Sequence, residues 1–188
     1  MMNKEMSVSS SPTIEIEKLF GQFYDWPAQI PELGEFELVD RVPAPYDTLL
    51  DHHNHMTVTV EAYHRQKVDV IVDRAKRDDQ WYAREITLVT QQSRLKVLYG
   101  MVRLNVNLLS EDAWRRIESQ QTPLGRVLIE HDLLCEVELC GLWRVTMGKR
   151  LASLMETEIG AQRFGRTALI YCDGDPAIEL LEIVSPAQ

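Results

Sequence analysis

Apolar and polar residues alternate with period two through the middle of this chain, the pattern of strands that turn one face toward a core. In Trp81-Tyr82-Ala83-Arg84-Glu85-Ile86-Thr87-Leu88-Val89, the positions Tyr82, Arg84, Ile86 and Leu88 share one face, and the intervening residues share the other. Met56 to His64 alternates in the same way, with Met56, Val58, Val60 and Ala62 expected to face inward. A tight turn at Arg65-Gln66 then leads to a strand over Val68 to Val72, and the polar run Lys76 to Gln80 precedes the strand carrying Arg84. A turn at Gln91 to Ser93 leads into Leu95 to Val106. Four strands on short connections predict an antiparallel meander. Leu139 to Met147 adds a strand, and Thr167 to Cys172 with Ala177 to Ser185 predicts a closing hairpin around Asp173-Gly174-Asp175-Pro176.

Helical spacing appears between these strands, which makes the class α+β. Thr13 is expected to cap a first helix with the stripe Ile16, Leu19, Phe20 and Phe23, ended by Trp26-Pro27. Tyr46 to His52 and Leu151 to Glu156 suit short helices. Ser110 caps Glu111 to Ser119, whose acidic first turn suits the helix dipole. Thr122 is expected as the cap, and Pro123 as the first residue, of a helix reaching about His131. Residues 1–12 are polar and serine-rich and read as a disordered tail, with 13–188 as a single domain. The stretch 28–45, rich in proline and glycine, reads as an ordered surface connection.

The net charge of -9 and pI near 5.0, with scattered Lys and Arg, argue against a nucleic-acid partner. No apolar run approaches the roughly 18 residues of a membrane span. Cys135, Cys140 and Cys172 have neither zinc nor redox spacing, and Cys140 and Cys172 sit among apolar or small residues as buried core thiols. An odd cysteine count without a signal-peptide pattern points to the reducing cytoplasm.

Chemistry enters with charges on apolar faces. Arg84 occupies a strand position that calls for an apolar residue, so its donors need an anion from the protein or from a ligand. Glu182 shares a face with Ile178, Leu180 and Val184, while Glu179 lies with Ala177, Leu181 and Ile183. Arg84 and Glu182 either line one internal cavity for a small molecule or form a buried ion pair with each other. Thr122-Pro123-Leu124-Gly125-Arg126 opens a helix whose free amides suit an anion, a carboxylate more than a phosphate, since no Lys-Ser or Lys-Thr follows the glycine; an ordinary helix start is the plainer reading. His52-His53-Asn54-His55 could place two imidazoles on one metal, but no zinc-hydrolase carboxylate motif accompanies them, so a polar loop with a histidine near a ligand is expected instead.

In order and spacing, Met56-Thr57, Trp81-Tyr82-Ala83-Arg84-Glu85-Ile86, Thr122-Pro123-Leu124-Gly125-Arg126, Phe164-Gly165-Arg166, Gly174-Asp175-Pro176 and Glu182 resemble the chorismate pyruvate-lyase family over residues 46–186. The resemblance implies an antiparallel sheet of about six strands around an internal ligand cavity covered by helical flaps, with neither metal nor organic cofactor. It implies elimination of pyruvate from chorismate to leave 4-hydroxybenzoate. By the same resemblance, Arg84 binds the aromatic carboxylate, Glu182 is the family's essential glutamate, and Met56, Leu124 and Gly125 line the substrate site; in an apolar pocket, with Arg84 committed to the substrate, Glu182 is expected to keep its proton and act as the acid. The alternative is a non-catalytic binder of a small aromatic carboxylate, and the partner in either case is a small acid, on a monomer or dimer. Three features depart from the family pattern: the Met147 to Arg163 insertion, a longer Arg84 to Arg103 hairpin, which leaves Arg103 without an assigned role, and the His52 to His55 cluster.

Overall fold

The computed structural model describes residues 14–131 and 135–186. Seven strands form one antiparallel sheet: β1 (Gly34–Val39), β2 (Val68–Arg77), β3 (Trp81–Thr90), β4 (Lys96–Asn105), β5 (Cys135–Met147), β6 (Gln162–Cys172) and β7 (Asp175–Val184). Their spatial order is β1-β5-β6-β7-β4-β3-β2. Seven α-helices, with one 3-10 turn at Val106–Leu108, complete the described residues: α1 (Ile16–Phe20), α2 (Ile30–Leu33), α3 (Tyr46–Leu50), α4 (Met56–His64), α5 (Glu111–Glu118), α6 (Leu124–Glu130) and α7 (Lys149–Leu154).

Both faces of the central strands are covered, which is why β3 and β4 are buried almost throughout. On the back face, α1, α2 and α7 bring Leu19, Phe20, Leu33 and Leu151 onto Tyr99, Met101, Leu181 and Ile183. A five-residue helix such as α1 does not stand alone in water. Burial of Leu19 and Phe20, at 0% and 1% exposure, holds it, at about 1.5–3 kcal/mol each. On the front face there are two clusters: α5 and α6 pack over Tyr82, Leu104, Ile170 and Leu180, and α3 and α4 pack over Ile86, Leu88, Leu98 and Val184.

Three expectations are corrected. Met56 to His64 is a helix and not a strand: Met56 and Val60 lie one turn apart against the sheet, Val58 is 48% exposed, and Arg65 ends the helix in the left-handed region. The β-branched run costs a helix only tenths of a kcal/mol per residue, roughly, and burial of the Met56/Val60 stripe outweighs that. The connection over 28–45 contains α2 and β1, whose strand pairs with β5 from Gly34↔Met147 to Val39↔Leu142. Pro123 stands at the cap position of α6 and Leu124 is its first residue, so the helix starts one residue later than expected. Ser110 caps α5 as expected, its hydroxyl accepting from the Ala113 amide. The expected Thr13 cap and the tail before it lie outside the described residues.

Candidate functional site

The two front-face clusters meet at a row of residues that are not large and apolar. Across the sheet, Arg166 of β6 is directly opposite Glu182 of β7, which is opposite Gly100 of β4. Arg84 lies on the same face of β3, one pleat from Ile86, the neighbour of Gly100 in this row. These residues floor a cavity roofed by the starts of α4 and α6, through His55, Met56, Thr57, Leu124 and Gly125, with apolar walls including Ile86, Leu98, Val102 and Leu180. All five sequence-derived site residues (Arg84, Glu182, Met56, Leu124 and Gly125) therefore line one cavity.

Arg84 is 1% exposed, and its Nε and Nη1 have no hydrogen-bond partner. Among the described residues no carboxylate pairs with it. Burial pushes its guanidinium below the ordinary value, and only the nearby Tyr82 acts in the other direction. A cation held this way carries unspent donor capacity directed at whatever enters.

Glu182 is engaged elsewhere. Its Oε2 accepts from Arg166 Nε at 2.8 Å, so the Arg84–Glu182 ion pair does not form. Arg166 is itself 1% exposed, and each of its nitrogens has a partner: Nη1 donates to the His52 carbonyl at 2.9 Å and Nη2 to the Asn54 carbonyl at 3.1 Å. Arg166 lies in the Phe164-Gly165-Arg166 segment but is not among the site residues expected from sequence. Phe164, Arg166, Ala168 and Ile170 alternate as Tyr82, Arg84, Ile86 and Leu88 do, and the same reading would have placed it in the site.

The histidine cluster builds this cage. His52 Nε2 is 2.9 Å from the Leu49 carbonyl, and its Nδ1 accepts from the Asn54 amide and faces Arg166. His53 Nδ1 is 3.0 Å from the Val137 carbonyl. His55 lines the cavity, where burial and then the Arg166 charge hold its imidazole below the ordinary value and therefore neutral at pH 7.

The roof is tightly closed. A Cβ on Gly125 would lie 2.9 Å from Thr57 Oγ1 and 3.1 Å from His55 Cβ, so glycine lets α6 approach α4 closely. Arg126 of α6 pairs with Glu61 of α4, which also accepts from the Val68 amide at 3.1 Å. The cavity volume is about 40 Å³, room for a few water-sized groups.

Charges on the back of the sheet are separate from this site. Arg103 lies over the Trp81 ring and pairs with Glu179 at 3.0 Å, so Glu182 and not Glu179 is the cavity carboxylate. Glu85, likewise not among the residues expected from sequence, is 0% exposed and collects donors: Tyr24, Tyr99 Oη at 2.8 Å, and Arg74 and Arg150 at 3.2 Å each. Arg150 belongs to the Met147–Arg163 insertion, which thus braces the back of the sheet as α7 and does not reshape the roof.

No family model and no curated protein matches the chain. Solved structures do. PhnF from Mycobacterium smegmatis superposes with a TM-score of 0.53 at 12% identity, covering 70% of this chain and 63% of that one. Its effector domain alone gives 0.53 at 13% identity, covering 71% and 89%. Gene product SA0254 of Staphylococcus aureus gives 0.51 at 11% identity, covering 72% and 90%. The chain thus spans about two thirds of the longer PhnF chain and most of the shorter two. Among the described residues no helix is long and apolar enough to cross a membrane. At these identities the likeness is one of fold: the chain has the α+β fold, built on an antiparallel sheet, of the PhnF effector domain.

Proposed function

We propose that this chain binds a small organic acid in the front-face cavity, with the acid's carboxylate on Arg84. The observation that carries the reading is a guanidinium at 1% exposure with two nitrogens lacking acceptors, set among apolar walls. A carboxylate supplies two acceptors in the fork geometry of a guanidinium. The amides of Leu124 and Gly125, at the start of α6, have no intrahelical acceptor and line the same space. An aromatic or cyclic body suits the Ile86, Leu98 and Val102 walls. At about 40 Å³ the cavity is too small for a ring, so binding requires α4 and α6 to draw apart. The use of this fold as an effector domain in PhnF fits a ligand-binding role.

The finer reading is elimination of pyruvate from chorismate, and the presence of both Arg84 and Glu182 in one cavity favours it. The reaction removes a ring proton and delivers one to the departing enolpyruvyl oxygen. Glu182, accepting from Arg166, is suited to take the ring proton, in place of the acid role expected of a glutamate in an apolar pocket. Purified protein is incubated with chorismate, and 4-hydroxybenzoate is followed by chromatography, with calorimetric titration of 4-hydroxybenzoate in parallel and Arg84→Ala as control. Arg84-dependent product establishes the lyase. Arg84-dependent binding without product leaves the binding domain, and neither product nor binding overturns both readings.

A further inference from the structure

Cys135 opens β5 and Cys172 closes β6, and the strand register sets them directly opposite each other. Opposed residues in an antiparallel pair have Cα atoms about 4.5–5.5 Å apart, within the roughly 4.4–6.8 Å that a disulfide spans. Both thiols are free, and their Sγ atoms are 2.9 Å apart. Closing to a bond of about 2.05 Å takes a movement of less than about 1 Å. The next opposed pair along the ladder on the same face is Val137 and Ile170, which packs with Cys172. Cys172 is 2% exposed, whereas Cys135 is only partly buried and borders a surface pocket with Tyr171 and Asp173.

We propose that Cys135 and Cys172 form a reversible dithiol–disulfide pair, oxidised by small disulfides of the oxidised-glutathione class. The inference does not depend on what the cavity binds.

The two thiols are unequal in the way such a pair requires. The hydrogen bond from Cys172 holds the Cys135 thiol below its ordinary value, and the same contact pushes Cys172 up. Cys135 is therefore both the reachable sulfur and the readier thiolate, the combination that attacks a disulfide. Its thiolate attacks one sulfur of the oxidant, forming a mixed disulfide on Cys135 and releasing one glutathione thiolate, which takes up a proton. Cys172 then loses its proton and attacks Cys135 Sγ, expelling the second glutathione. In total, two protein thiols and one glutathione disulfide become one protein disulfide and two glutathione thiols. Cys140 has no part in this: its sulfur contacts the Glu138 carbonyl, and burial pushes its thiol up to about 11.

The test uses the full chain, equilibrated with oxidised glutathione, alkylated and analysed by intact mass and peptide mapping. The native protein is expected to lose two of its three alkylatable thiols, to weigh less by two hydrogen atoms before alkylation, and to recover all three with dithiothreitol. Mapping is expected to join Cys135 to Cys172. Cys140→Ser should behave as the native chain, and Cys172→Ala should stop at a glutathione adduct on Cys135. Retention of all three thiols, a linkage through Cys140 or between two chains, or a lasting glutathione adduct on native Cys135 overturns the proposal.

Discussion

Replacing Arg84 with Met is expected to make the ligand-free protein more stable, the reverse of what most buried substitutions do. Methionine keeps a long apolar stem and removes the donors. Two guanidinium nitrogens, Nε and Nη1, are buried without partners, and each unsatisfied group costs about 1–3 kcal/mol. Part of that gain is offset by lost contacts of the planar head and by the small void left in a cavity of about 40 Å³. The net expectation is a gain of about 1–3 kcal/mol, or several degrees in Tm for a chain of this length, at roughly 2–4 °C per kcal/mol. Urea denaturation followed by tryptophan fluorescence reads it as a rise in midpoint at unchanged m-value. A ligand provides the second arm. Benzoate or 4-hydroxybenzoate should stabilise the native protein in proportion to the logarithm of its concentration and leave Arg84→Met unaffected. A loss of more than about 1 kcal/mol in Arg84→Met without ligand would refute the reasoning, because it would mean that the guanidinium already makes a structural interaction in the empty protein.

Other expectations concern the back of the sheet and the roof. Glu85→Gln removes the charge shared by Arg74, Arg150, Tyr24 and Tyr99, and a broken buried pair of this kind costs about 3–5 kcal/mol, measurable by urea denaturation. Alkaline pH should weaken the native protein through the same hub. Burial, with the Glu85 contact, pushes Tyr24 from 10.0 up to about 12, and Tyr99 is raised too. That contribution is complete below pH 10 and is lost as pH climbs toward 12, on the order of 2 kcal/mol from Tyr24, while Glu85→Gln should flatten the dependence. Gly125→Ala places a methyl 2.9 Å from Thr57 Oγ1 and should cost about 1–3 kcal/mol while speeding hydrogen exchange in α4, because the two roof helices must part.

The sheet was largely readable from its residues, and the site more so than the roof. The central strands are legible as largely apolar runs because both sheet faces are covered, and a charge on such a face stands out, as Arg84 and Glu182 do. Arg166 and Glu85 carried the same signal. They are harder to see because Arg166 lies at the end of the Phe164-Gly165-Arg166 motif, and because Glu85 lies on the β3 face opposite Arg84. The roof was harder. Met-Thr-Val-Thr-Val fits a strand by local preference, and only its position above the Arg166 cage makes it a helix start, which depends on contacts distant in sequence. The same is true of Cys135 and Cys172, whose 37-residue separation resembles no redox motif until the β5–β6 register brings them together. In β1 the alternation of Glu35, Phe36, Glu37 and Leu38 was present but masked by the prolines on either side.

Arg166 joins the sheet to the start of the roof. From the floor of the cavity it holds Glu182 on the neighbouring strand and, above, the carbonyls of His52 and Asn54 just ahead of α4. Lifting that end of the roof by even a hydrogen-bond length strips acceptors from a buried guanidinium, so a partly raised roof is worse than either a closed one or one opened far enough to let solvent reach the charge. The entrance should therefore act as a threshold: thermal jostling leaves it shut, and a ligand crosses only when it arrives with acceptors of its own.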